Sequence, residues 1–266
     1  MLKPGDQGLR KHRGFWLSWF GPLGREMGCS KRWFTDNPNV FVSVVEKCIG
    51  ARESCFMSVQ PFMARDVVFG LEKVFLSFHS KIDSASLKET FEQVRGLGRR
   101  LREHFNVEPL IVRAWRGFHV YVFLQDIVEF GFGQEYVYKW VYRLLQEEAL
   151  KGVPHSALDA RCLGNLKQLA RVPYSIHEGV EYSPVDLNQR PIHIKNLDVY
   201  REKGIKEDLL RRLIERAENG IKAEEILKLR NTPSKTEQHH QRRRKMLPTV
   251  LINEPHRQNY ANHPWQ

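Results

Sequence analysis

Hydrophobic and polar positions along this chain follow two periods, and the switches between them predict its elements. NPNVFVSVVEKCIG opens on Asn37 or Asn39 and closes before Gly50, which predicts an asparagine-capped helix. SCFMSVQPF then reads as a strand, and LEKVFLSFHS as a second, apolar at Val74, Leu76 and Phe78. A helix follows. Ser84 or Ser86 can cap it, Glu89 stands three residues after Ser86, and Leu87, Phe91, Val94, Leu97 and Leu101 recur at helical spacing. PLIVRAWRGFHVYVFL predicts two short strands around a turn at Trp115–Gly117. The second, from Phe118 to Leu124, is apolar on both faces and belongs in the middle of a sheet. EYVYKWVYRLLQEEALKG predicts a helix stopped by Gly152, and GIKEDLLRRLIERAENG an amphipathic one with Leu209, Leu213 and Ile214 on one face. Between them, DARCLGNLKQLARVPYSIHEG and EYSPVDL read as loops, a short helix and strand edges.

Strands joined locally and interleaved with helices define an α+β fold, a mixed sheet core with flanking helices in one main domain. Residues 1–35, rich in Gly, Arg and Trp without a clear period, form a leader of unspecified structure. The main domain is expected over 36–198, a helical extension over 199–230, and a basic tail over 231–266, disordered by its Pro, Gln, His and Arg content. The aromatics Phe118, Tyr121, Phe123, Tyr136, Tyr138, Trp140 and Tyr142 are, for the most part, placed in the core by their spacing. Trp115 differs, because it stands in a turn between Arg113 and Arg116, where it can stack on a base.

Composition narrows the class. With 266 residues, 41% of them hydrophobic, the chain can bury a sizeable core, and no apolar run approaches a membrane span. GFWLSWFGPLG is short and broken by Gly and Pro, which makes a poor signal peptide. A net charge of +11 points to a polyanionic partner, most simply nucleic acid, although part of it sits in QRRRK at 241–245. The four cysteines, Cys29, Cys48, Cys55 and Cys162, lack metal-ligand spacing and are expected to be free thiols in a reducing, cytoplasmic setting.

Three stretches carry candidate chemistry: LSFHS, AWRGFHVYV and LDARCLGNLKQLARVPYSIHEG. In order, spacing and flanking pattern, residues 54 to 186 resemble the archaeo-eukaryotic primase superfamily, particularly the primase-polymerases of archaea and their plasmids. That family carries a strand with D-x-D or D-x-E, a strand–turn–strand of form S-G-x-G-x-H, and a later aspartate followed by an Arg-x-Pro-x-Ser-x-His segment. Two carboxylates at i and i+2 share one face of a strand. With a third, they hold two divalent ions that align the attacking hydroxyl and neutralise the transferred phosphoryl group.

Ser77 and His79 occupy the slots of the first two carboxylates, and Asp159 that of the third, leaving at most a weak metal site at Asp159. The resemblance implies that His119, Gly117 and Arg116, with Arg171, Ser175 and His177, contact a nucleoside triphosphate. Ala114 and Trp115 depart from the pattern, which has Ser and Gly there. Arg113, Trp115 and the run Arg242, Arg243 and Arg244 are candidates for DNA contact. The expectation is a catalytically degenerate primase-fold protein of DNA replication, nucleoid-associated. Its partners would be a nucleoside triphosphate, single-stranded or primer–template DNA, and an active primase or replication protein. No cofactor is firmly implied, and Mg²⁺ or Mn²⁺ only if the chain is active.

Two alternatives stand beside it. One is an active primase-polymerase, with Asp83 or another acid supplying the missing charge; the other is a basic nucleic-acid-binding module without a nucleotide site. A transition-metal site from His79, His119 and Asp159 is a further possibility. A Ser77–His79–Asp159 hydrolase is disfavoured, because a serine and histidine side by side on one strand make no nucleophile elbow.

Overall fold

The computed structural model describes residues 4–28, 31–80, 84–131, 134–177 and 180–220. In chain order, helix α1 (Pro4–Phe20) leads to strands β1 (Arg25–Met27) and β2 (Trp33–Thr35), then helix α2 (Pro38–Ala51). Strands β3 (Phe56–Ser58), β4 (Phe62–Ala64), β5 (Val67–Val68) and β6 (Gly70–His79) follow, and then helix α3 (Ser84–Phe105). Strands β7 (Leu110–Ala114) and β8 (Gly117–Glu129) form a hairpin before helix α4 (Glu135–Leu150) and a 3₁₀ turn at Ala160–Cys162. The chain continues through β9 (Leu169–Arg171), β10 (Ile176–His177), β11 (Val180–Glu181) and β12 (Ser183–Val185) to helices α5 (Asp198–Glu202) and α6 (Glu207–Gly220).

Two four-stranded sheets make the frame, one ordered β12-β7-β8-β6 and the other β2-β1-β3-β9. All pairings within them are antiparallel, so the fold is α+β. Strand β8 lies between β7 and β6, as its two-faced apolar run requires, though it runs 13 residues rather than being short. Strand β6 is at the sheet's end yet buried along nearly its whole length. Its outer edge is covered by residues 157–159: the His79 N–H donates to the Ala157 carbonyl and the Asp159 N–H to the Ser77 carbonyl, each at 2.8 Å. That contact hides the open backbone groups of an edge strand and also builds the site.

Helix α2 begins as its sequence predicts. The Asn37 side chain accepts from the N–H groups of Asn39 and Val40, with Pro38 in the first turn. SCFMSVQPF is broken rather than one strand, because the chain bends between β3 and β4 and Pro61 has no N–H to give a ladder. Gln60 replaces the missing rungs, accepting from the Glu72 N–H at 2.9 Å and donating to the Lys73 carbonyl at 2.7 Å.

The described residues before α2 include helix α1, which packs on the sheets. Phe15, Trp16, Trp19 and Phe20 stand on one face of α1, are buried, and belong to the same core as the sheet residues. Trp19 meets Tyr121 of β8 edge-on at 4.9 Å, and the Trp16 indole N–H donates to the Pro173 carbonyl at 3.0 Å. Leu210, Leu213 and Ala217 of α6 join that core too, so the 199–230 extension begins packed. Cys48, Cys55 and Cys162 are free thiols; Cys29 and Asp83 lie outside the described residues. No described helix is long and apolar enough to cross a membrane.

Candidate functional site

Between the two sheets lies a cleft of about 840 Å³. Ser77 and His79 reach it from β6, Gly117 and His119 from β8, and Phe56 and Arg171 from the paired strands β3 and β9. The two-residue turn Trp115–Arg116 and the 159–168 segment complete the walls. Period-two alternation puts Ser77 and His79 on one face, and antiparallel register sets His119 opposite Ser77. Asp159 joins them because its backbone pairs with the edge of β6.

Thus Ser77, His79, Trp115, Arg116, Gly117, His119, Asp159 and Arg171, far apart in sequence, line one space. Ser175 is not among the residues that line it and is fully buried. Arg113 is exposed and alternates with Ala114, which faces the cleft. His177 ends β10, with its side chain outside the description, as are Arg242, Arg243 and Arg244 altogether. Gly117 is imposed by protein rather than by ligand, because a Cβ there would sit 1.9 Å from the Phe78 carbonyl oxygen of β6.

The polar groups are already committed to one another. The Ser77 hydroxyl pairs with His79 Nε2 at 2.9 Å. Both Asp159 oxygens accept from Arg161, Oδ1 from Nε and Oδ2 from an Nη, each at 2.9 Å. The Arg161 N–H donates to the same carboxylate at 3.1 Å. This bidentate fork holds Asp159 below the usual carboxylate range, against a smaller opposing push from its own burial. Sequence reasoning passed over Arg161; the only signal was its position two residues after Asp159 in LDARCLG.

His119 is buried on β8, and burial, with His79 and Arg171 nearby, pushes its pKa down to about 3. Its Nδ1 lies 2.5 Å from the Tyr182 hydroxyl, which lies 2.8 Å from the Tyr121 hydroxyl. With Tyr121 donating to Tyr182 and Tyr182 to Nδ1, each hydroxyl proton has an acceptor, and His119 keeps its proton on Nε2. His79 is also pushed down, by burial first and then by Arg161 and Arg171, with Asp159 opposing. Both imidazoles are therefore neutral near neutral pH. Among the described residues, the cleft's charges are the guanidinium groups of Arg116, Arg161 and Arg171 against the single carboxylate of Asp159.

These residues do not fit a Mg²⁺ or Mn²⁺ pair, which needs several anionic oxygens. Among the described residues no group of three or more His, Cys, Asp or Glu side chains comes together to hold a metal ion. This corrects the possibility of a His79–His119–Asp159 centre: His119 turns to Tyr182, and Asp159 is taken by Arg161. The same fork leaves Asp159 unable to orient His79 for a serine nucleophile. Trp115, 43% exposed at the hairpin tip, carries the Arg116 guanidinium 4.1 Å from its ring centroid.

No family model matches the chain, and no curated protein does. Among solved structures it is similar to the AEP domain of the cyanophage S-2L primase-polymerase, at 12% identity and a TM-score of 0.40, covering 64% of this chain and 84% of that one. It is also similar to the polymerase domain of Ligase D from Mycobacterium tuberculosis, solved in complex with DNA. That likeness has 10% identity and a TM-score of 0.44, covering 80% of this chain and 88% of the other. Likenesses this distant concern the course of the chain and say nothing of the cleft.

Proposed function

We propose that this chain is a primase-like accessory protein of DNA replication whose cleft holds a nucleoside triphosphate, or the phosphates of a primer–template, without a divalent metal pair. The observation that carries this is the neutralisation of Asp159 by Arg161, while Arg116 and Arg171 line the same space. A cleft whose one carboxylate among the described residues is already forked by a guanidinium attracts anions and has little to offer Mg²⁺. His119 adds a neutral N–H donor, useful for phosphate oxygens at any pH well above its own titration. Polymerase chemistry of the two-metal kind has no footing on Ser77 and His79.

Calorimetry of a nucleoside triphosphate against the full chain, in EDTA and then in Mg²⁺ or Mn²⁺, tests this. Binding in EDTA that falls on substituting Arg116→Ala or Arg171→Ala is expected. Binding only with metal, or magnesium-dependent primer synthesis by the purified protein, would overturn it.

A further inference from the structure

We propose that the outward face of α4 is a stacking platform for single-stranded nucleic acid, placed beside the cleft. Sequence spacing assigns Tyr136 and Trp140 to the core, yet they are 43% and 51% exposed. Four residues apart, they share one face of the helix, about 6 Å apart along its axis. The exposed positions of α4 are Tyr136, Lys139, Trp140, Arg143 and Glu147, with no aliphatic residue among them. A single exposed aromatic is ordinary. Two in line, with cations interleaved, match the alternation of base and phosphate along a single strand.

Charge favours this occupant over a protein. The acids at this face are engaged: Glu147 accepts from Arg143 at 2.8 Å, and Glu135 lies 3.8 Å from the Lys167 ammonium. The Arg143 pair uses only its Nε–H, so the remaining guanidinium N–H groups can meet a phosphate while Glu147 stays paired. Lys139 has no ion pair among the described residues, and the chain as a whole carries +11.

The platform is also fixed to the cleft. Gln146, buried on the inner side of α4, donates to the carbonyls of Phe75 at 2.8 Å and Cys162 at 3.0 Å, and accepts from the Gly164 N–H at 2.7 Å. One side chain thus ties the helix to β6 and to the loop whose Cys162, Asn165 and Gln168 line the cleft. Gly164, at a φ of +66°, rests against α4, where a Cβ would lie 3.5 Å from that of Arg143. A strand leaving the cleft over this loop meets Lys139, Arg143 and then the two rings. Only that path rests on the reading of the cleft; the platform itself does not.

The test is fluorescence anisotropy of a labelled oligodeoxythymidylate with the full chain at several salt concentrations. Tyr136→Ala and Trp140→Ala are each expected to weaken binding by roughly 5- to 150-fold, whereas Trp140→Phe retains most of it. Lys139→Glu is expected to flatten the salt dependence. Triphosphate calorimetry on the same alanine variants should be unchanged, which separates this surface from the cleft. A chain that binds the oligonucleotide through these rings but no triphosphate would sink the cleft reading and support this one. Unchanged oligonucleotide affinity in both alanine variants overturns the proposal. So does self-association, seen by sedimentation, that Trp140→Ala abolishes while oligonucleotide binding persists, because the face is then an interface between proteins.

Discussion

Removing one buried carboxylate, Glu72→Gln, should cost more stability than any single change in the cleft. Glu72 is wholly buried on β6 and pairs with Arg25, which is equally buried, and with Arg201 at 2.6 Å. The Lys73 ammonium, also buried, is 3.5 Å away and 4.4 Å from the Trp19 ring centroid. One anion therefore serves three cations, from α5, from β1 and from β6 itself. Burial alone would push the Glu72 carboxyl up, but Arg25, Lys73 and Arg201 together hold it down at about 2.

Gln can keep hydrogen bonds but no charge, leaving the buried Arg25 guanidinium uncompensated and driving buried Lys73 toward its neutral form, a change of about 3–5 kcal/mol. Against a total of roughly 5–15 kcal/mol for a domain, that is a large share. Urea melts at pH 7 measure it. A loss below about 1 kcal/mol would refute the reasoning, since that is the scale of a solvated pair. The sign with pH is fixed as well. Glu72 titrates lower in the folded chain than in the unfolded one, so its contribution is present above about pH 4.5 and lost as the pH falls toward 2.

Lys73 supplies the contrast. Burial pulls it down from 10.5 to about 7, with Glu72 opposing. Between those values the unfolded chain binds more protons, so stability rises with pH from 7 upward. Lys73→Met is expected to remove that slope in melts at pH 7 and 9, at a cost below about 1.5 kcal/mol; a slope left intact would count against it. Arg161→Ala frees the Asp159 carboxylate, so its pKa should rise toward the ordinary range when followed by NMR, and no change would show that the fork does not hold it. Ser77→Asp with His79→Asp sets two carboxylates on one face of β6 beside Asp159, and Mn²⁺ titration should show metal binding gained over the parent chain; failure means Arg161 still blocks the site. Gly117→Ala drives a Cβ against the Phe78 carbonyl oxygen and should destabilise by about 1–3 kcal/mol in urea melts.

Local pattern determined much of this protein. The asparagine cap of α2, the apolar stripe of α3, the two-faced run of β8 and the i, i+2 pairing of Ser77 with His79 follow from periodicities that hold wherever the segment packs. The family resemblance carried by three stretches named residues most of which line one cleft. Spacing could not say which neighbours would arrive. Tyr136 and Trp140 have the same helical period as buried Val141 and Tyr142, but no other element covers their side of α4 among the described residues. The aromatics of α1 looked unperiodic until Tyr121, Phe41 and Tyr174 supplied the surfaces they bury against. Ser175 is buried outside the cleft lining, its N–H donating to the Val172 carbonyl and its own carbonyl accepting from the Tyr182 N–H. Above all, the charge state of the site was decided in three dimensions. The side chain of Arg161 turns back onto Asp159, and Tyr182, sixty-three residues from His119, reaches its ring nitrogen. Such contacts depend on which faces the sheets bring together, and a one-dimensional pattern does not carry that information.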